Sequence, residues 1–474
     1  MIPALPGSVL VLASLAAPAG PGALASYKVG WEREQKGDLT GAAEAYERAL
    51  SLSPDLAEAR DRLGFVRGRQ GRTQEALTEF EKATRARPDL FDAWYHLGAT
   101  RWWTGDAAGA LSALQQAVKL KPSHGEARYY LGLTQKRAGD LPAALASLRR
   151  AVKLAPGLAV AHLHLGVTLY EMGDVDGALV ELRRAVELAP DLSDARNSLG
   201  LALIKKGEGE EAVATFQALV KSQPDNLVAR HNLGSALLQK GDLEGAIGVY
   251  RELTTIDPKS AEAFYNLGMA LKQKDDFAGA EEALRKAVAI DPALPESHYT
   301  LGVVLWQTGR AAEAVQAFQQ TIARRPDDAD AHYMLGTVLK QLGEVDEALA
   351  EFRVAVAKRN SAEPHINIGQ ILQQRGDRAG AAAAFAEAER LNRKKADAQA
   401  AAFAASAGRS KLGQGDVAGA VASFREAARL APEDAQAHYQ LALALRRGGA
   451  RAEARREMAE ARRLAPYLQD PEER

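Results

Sequence analysis

A glycine returns along this chain at a fixed interval. Gly30 is followed every 34 residues by Gly64, Gly98, Gly132, Gly166, Gly200, Gly234, Gly268, Gly302 and Gly336. It continues as Gly369 after 33 residues, Gly408 after 39 and Ala442 after 34. The position of Ala178 is alanine in all 13 units, from Ala42 to Ala454, and that of Pro190 is proline in 11, replaced only at Asn360 and Arg393. A period this strict means one supersecondary unit copied in tandem, each copy resting mainly on its neighbours. It overrides the reading of 474 residues as about three separate domains.

Ala159–Leu192 shows the unit most plainly. Ala161, Leu165, Gly166 and Leu169 fall at helical spacing on one face. Gly173-Asp174 breaks the helix, with Asp suited to cap the next one. A second helix carries Ala178, Leu182 and Ala185 and stops at Ala189-Pro190, because proline lacks an amide hydrogen and biases its predecessor away from helix. One such hairpin cannot bury its own apolar faces, so it must stack. The period, the Leu-Gly pair, Ala178, the Leu182 position, Ala185 and the terminal proline resemble the tetratricopeptide (TPR) repeat, and the resemblance covers residues 23 to 468. It implies an all-α fold, a right-handed superhelical α-solenoid of about 13 tandem 34-residue helix-turn-helix repeats. Fold alone does not assign a function, because such arrays serve many partners.

Repeats 1 to 11 occupy residues 26–395 and repeats 12 and 13 occupy 401–468, with a tail at 469–474. Five extra residues, 396–400, separate the two blocks. A helix running on or a loop would both break even stacking there, so 391–400 is the expected hinge. The last helix, Arg451–Leu464, is crowded with Arg and Glu, the polar outer face that an end cap requires. Residues 1–25 differ from the repeats in composition. Ser8–Ala17 is an apolar run of ten, too short to span a bilayer, which takes about 20 residues. Small-x-small sites come next at Ala17-Pro18-Ala19 and Ala23-Leu24-Ala25, as in a secretory signal, although no Lys or Arg precedes the apolar run. Cleavage would place the chain in the periplasm or outside the cell; a disordered leader or a misplaced start would leave it in the cytoplasm.

Lys and Arg number 60 against 61 Asp and Glu, a net charge of −1. That balance argues against broad nucleic-acid or anionic-membrane binding. The absence of cysteine excludes disulfides, thiol catalysis and cysteine metal sites. The glycines are too regular for a phosphate cradle, and no nucleophile elbow or H-E-x-x-H motif is present. Neither an enzyme nor a bound cofactor is expected. His162, His298, His332, His365 and His438 share one repeat position. Helices pack about 8–10 Å apart, too far for these rings to converge on one metal, so they read as packing residues. In repeats 1 to 4 the buried position of Leu169 holds Arg33, Arg67, Arg101 and Gln135. Snorkelling, with aliphatic stems on the core and heads in water, is the favoured reading over a polar ladder that binds.

Counting from the start of a unit, positions 2, 5, 9, 12 and 13 form a second face of the first helix. The TPR resemblance implies that this face lines a concave groove. It carries Tyr95, Trp102, Trp103, Tyr129, Lys136, Tyr265, Tyr299, Trp306 and Tyr333, with acids at position 2. Asn232, Asn266 and Asn367, at position 6, resemble part of the asparagine ladder in the TPR superhelix of O-linked N-acetylglucosamine transferases, interrupted here by His96, His164, Thr300 and Met334. Tyr and Trp give large contact area for little rotamer entropy, and side-chain amides satisfy a peptide backbone. The expected activity is a non-catalytic scaffold that binds protein or extended peptide along this groove, as an adaptor in an envelope or exported complex. Its rivals are a self-assembling scaffold and, with less support, a carbohydrate or small-ligand groove.

Overall fold

The structure is a computed structural model and describes residues 20–465 and 468. The described residues form 25 helices and no strand. They divide into two units, Met1–Pro258 with repeats 1 to 7 and Lys259–Arg474 with repeats 8 to 13. Within each unit the helices pair as antiparallel hairpins, and the second helix of one repeat packs on the first helix of the next. First helices of successive repeats also touch one another directly, whereas contacts between successive second helices are weaker or absent. In each unit, therefore, the first helices form the shorter, inner side of the stack.

The recurring residues have direct physical causes. A Cβ on Gly166 would stand 2.6 Å from Leu182 Cγ, and one on Gly98 2.6 Å from Leu114 Cγ. The glycine is the hole into which the large residue of the second helix fits. Ala178 is 0 % exposed, so its methyl is all the space between the helices admits. The hairpin turn is closed by a glycine at positive φ, such as Gly173 at 85°. The Asp after it caps the second helix: Asp174 accepts from the Gly177 amide at 2.9 Å. In repeat 8 that glycine is replaced by Asp275, which takes φ 63° without being glycine.

The histidines are packing residues, as expected, and they do more than fill space. His162 Nε2 lies 3.2 Å from the Pro156 carbonyl and Nδ1 2.6 Å from Glu181. His332 and His438 repeat both bonds, to Pro326 and Glu351 and to Pro432 and Glu457. Arg60, Trp94 and Arg230, at the same position, donate to the carbonyls of Pro54, Pro88 and Pro224. The rule is a side-chain donor for the carbonyl that the inter-repeat turn leaves without a helical partner.

The arginines of repeats 2 and 3 depart from simple snorkelling. Arg67 meets Glu47 at 2.9 Å and Glu79 at 3.6 Å, and Arg101 meets Glu81 at 2.7 Å. Their heads are held by second-helix carboxylates on the side away from the inner face. Arg33, with side-chain exposure of 46 %, keeps the wetter arrangement.

The insertion at 396–400 is taken up in a single helix of 36 residues, Arg378–Gly413. It serves as second helix of repeat 11 and first helix of repeat 12, so of the two alternatives the helix runs on. The leader falls on residues 1–19, outside the described ones, and on the start of the first helix, Pro21–Gln35, in which Ala23 is buried. The tail 469–474 also lies outside the described residues. Among those described, no helix is long and apolar enough to cross a membrane.

Candidate functional site

The inner face of each unit is the candidate site, because first helices line most of it. In Met1–Pro258 its aromatic residues cluster at repeats 3 and 4. Tyr95 is 3 % exposed; its ring stacks on Phe91 at 5.8 Å and its hydroxyl donates to Glu126 at 2.9 Å. Tyr129 is 8 % exposed, against Tyr130 and the His164 ring. Burial pushes both hydroxyls well above the usual tyrosine range, Glu126 adding to the effect at Tyr95. These two side chains therefore serve the packing of neighbouring helices. Trp102 is half-buried between Trp103, at 5.0 Å, and Tyr130, at 5.7 Å, with the Arg137 guanidinium 4.7 Å over its ring. Trp103 remains 48 % exposed and is the aromatic surface open to a ligand in this cluster. Lys136 is ion-paired with Glu171 of the next repeat at 2.9 Å. Asn232 donates to Asn197 at 2.7 Å, a short amide ladder across adjacent repeats.

Burial also reshapes titration here. His124 caps the first helix of repeat 4, accepting from the Ala127 amide through Nδ1 at 3.1 Å. Desolvation, with Lys121 and His96 adding, holds its pKa down at about 4; His164 is lowered to about 4 for the same first reason. Deeper still, Arg62 and Glu34 form a buried ion pair (3 % and 5 % exposed). The Arg62 guanidinium stacks over Trp31 and Phe65, at 4.9 and 4.7 Å. Asp61 meets His96 at 2.8 Å, also buried. The spacing pattern missed this network, because Asp61 and Arg62 occupy positions 5 and 6, which it assigns to the open groove face rather than to the core.

In Lys259–Arg474 the arrangement is more open. Tyr265, Tyr299 and Tyr333, one per repeat, are half-buried, as are Asn266, Trp306 and Asn367. A cavity of about 160 Å³ lies between Tyr265 and Tyr299, bordered by Thr300, Glu296, Arg325, Asp328 and Asp330. The next repeat opens a larger one, about 520 Å³, lined by Tyr333, Asp330, Arg359, Asn360, Glu363, Leu391 and Lys395. It enlarges where the turn at Asn360 is one residue short and where the long helix continues past Leu391. The acids at position 2 are largely engaged: Arg325 pairs with Glu296, and Arg359 Nη1 donates to Asp330 at 3.0 Å. Burial raises the Tyr299 pKa, with Asp330 and Asp328 adding. On the other edge, Trp306 Nε1 donates to Gln341 at 2.8 Å, and Lys340 reaches Asn367 at 2.9 Å.

This surface can grip an extended chain through ring faces and amides. Among the described residues, no three His, Asp or Glu side chains could share a metal ion.

Tetratricopeptide-repeat models match residues 33–71, 62–102, 100–159, 136–200 and 406–468. A model described as the cilia and flagella-associated protein 70 C-terminal domain matches 192–406. No curated protein matches the chain. Solved structures similar to parts of it include MamA, at 29 % identity over 34 % of this chain and 94 % of that one, TM-score 0.32. YrrB, described as a TPR protein with an unusual peptide-binding site, is 24 % identical over 40 % of this chain and 97 % of its own, TM-score 0.36. The hetero-tetramer Cut9–Hcn1 of the APC/C matches 95 % of each chain at 16 % identity, TM-score 0.36. The assignment rests on the repeat models and on the helix pairs themselves: from its first repeat to its last, this chain belongs to the tetratricopeptide-repeat family.

Proposed function

We propose that this protein is a non-catalytic scaffold that binds extended peptide segments of partner proteins along the inner faces of its repeats. The observation that carries this reading is the row Tyr265, Tyr299, Tyr333, half-buried at one per repeat, with cavities of about 160 and 520 Å³ beside them. Each ring is fixed by its own helix, so binding orders the ligand and hardly the scaffold. Many modest contacts then add along the chain of the partner.

Crosslinked pull-down with the full chain tests it. Two variants accompany the parent, one with Tyr265, Tyr299 and Tyr333 changed to Ala, the other with Trp102 and Trp103 changed to Ala. Circular dichroism checks that both fold. Loss of the captured set in the tyrosine variant, by about tenfold or more (about 1.4 kcal/mol), supports the reading. Unchanged capture in both variants sinks it and moves attention to the outer surface. Self-assembly is the rival, and a mass that rises with concentration in light scattering of the unliganded chain would favour it.

We place this activity in the cell envelope or outside the cell, on the small-x-small sites of the leader. A cut after Ala19 leaves the helix Pro21–Gln35 whole, whereas a cut after Ala25 removes its first turn with buried Ala23. N-terminal sequencing of the mature protein decides, and an intact Met1 would count against export.

A further inference from the structure

Position 12 of the first helix carries a lysine in several repeats, and its surroundings differ in one respect. In repeat 4, Lys136 meets a carboxylate, Glu171, supplied by position 13 of the following repeat. In repeat 10, Lys340 has the corresponding residue replaced by Gln374. Its Nζ instead meets two amide oxygens, Asn367 Oδ1 at 2.9 Å and Gln370 Oε1 at 2.5 Å. The orientation of Asn367 is fixed, because its amide nitrogen donates to the Glu363 carbonyl at 3.1 Å. Two neutral acceptors thus aim the ammonium group without cancelling its charge. Burial alone lowers the pKa of Lys340, and no carboxylate acts against it. Lys272, two repeats earlier at the same position, likewise has Gln307 where Glu171 stands after Lys136. Trp306 lies at position 12 of the repeat between them, its indole nitrogen tied to Gln341.

A half-buried, oriented cation with no internal counter-ion is one whose counter-ion comes from outside. The opposite edge of the same face does not compete for a partner's acids, since Glu296 and Asp330 are held by Arg325 and Arg359. We infer that Lys340 and Lys272 are carboxylate subsites of the groove, and that its partner is an extended acidic peptide. Such a peptide lays Asp or Glu side chains on the two lysines and passes over Trp306 between them. Adjacent first helices stand about 8–10 Å apart. The two lysines are therefore roughly 16–20 Å apart, which an extended chain covers in about five or six residues. The partner motif is two acids at about that spacing.

This inference rests on the groove reading, and one experiment separates their failures. A random twelve-residue phage library is selected against the full chain and against Lys340→Gln, Lys340→Arg and Lys272→Gln. Among the described residues Lys340 makes no ion pair, so these variants should fold, and unchanged thermal melting confirms it. The best peptide and its Glu→Gln isostere are then measured by fluorescence anisotropy at low and high salt. The expected result is enrichment of paired acids on the parent. The acid peptide should bind about tenfold or more tighter than its isostere, a preference lost in Lys340→Gln, kept in Lys340→Arg and weakened by salt. Peptides enriched without acids would overturn the carboxylate subsites and leave the groove reading standing. An acid preference that survives both Gln variants would also overturn them. Failure to enrich any peptide would overturn both readings.

Discussion

His124 shows how much a single ring can carry in this array. It caps a helix by accepting the Ala127 amide on Nδ1, which only the unprotonated ring can do. Its pKa is about 4 in the folded chain against about 6.5 for a free imidazole. Between those values the unfolded chain binds more protons than the folded one, so stability rises with pH across that window. It is fully present above about 6.5, is lost as pH falls toward about 4, and levels off below. Asparagine at this site would keep the cap and lose the titration. The His124→Asn variant should therefore lose less melting temperature than the parent between pH 7 and pH 5, as read by circular dichroism; equal losses would show that the ring is not the sensitive group. Legibility at this scale tracks packing. Ala178 and the glycines were readable because their space is set by a neighbour in the same repeating pattern. The burial of Tyr95 and Tyr129 was not, because Phe91, His124 and Tyr130 cover them from positions that the repeat does not hold constant.

The long helix Arg378–Gly413 is where the regular element gives way. Its first half packs on the helix Ala362–Gln374 and its second half on Val417–Leu430. Between them, residues 392–396 are exposed without interruption. In repeats 2 to 11 and in repeat 13, position 3 is a buried small residue, such as Ala331 at 0 %, because the preceding second helix presses on it. In repeat 12 that preceding helix is the same helix, and the position is Phe403, 78 % exposed. The sequence left helix and loop open here: no Gly or Pro lies between Gly380 and Gly408, yet the extra residues break the period. A helical stretch without tertiary cover opens locally at low cost. Trypsin under native conditions should cut first at Arg393, Lys394 or Lys395, within the expected hinge 391–400. A first cut inside 159–362, where repeats conform best, would show that the uncovered helix is not the weak point.

Stability of the whole chain should be a sum of repeat and interface contributions rather than one cooperative quantity. Three clusters of its core are each shared by two neighbouring hairpins, as Ala57, Ala83, Leu90 and Ala93 are shared by repeats 2 and 3. That architecture was legible from the period alone; what the inner face does with it depends on local substitutions such as Gln374 for Glu171, which a repeat average conceals. The additive picture makes a prediction about distance. A Cβ on Gly200 would stand 2.3 Å from Cζ of Phe216, a ring that is 0 % exposed and has nowhere to retreat. Overpacking of this kind costs about 1–3 kcal/mol, offset in part by the better helix propensity of alanine, up to about 1 kcal/mol. Native-state hydrogen exchange on Gly200→Ala should then show protection falling in repeats 5 to 7 and unchanged in repeats 9 and 10. If protection falls equally throughout, the repeats unfold as one body, and damage in one repeat would reach a groove several repeats away.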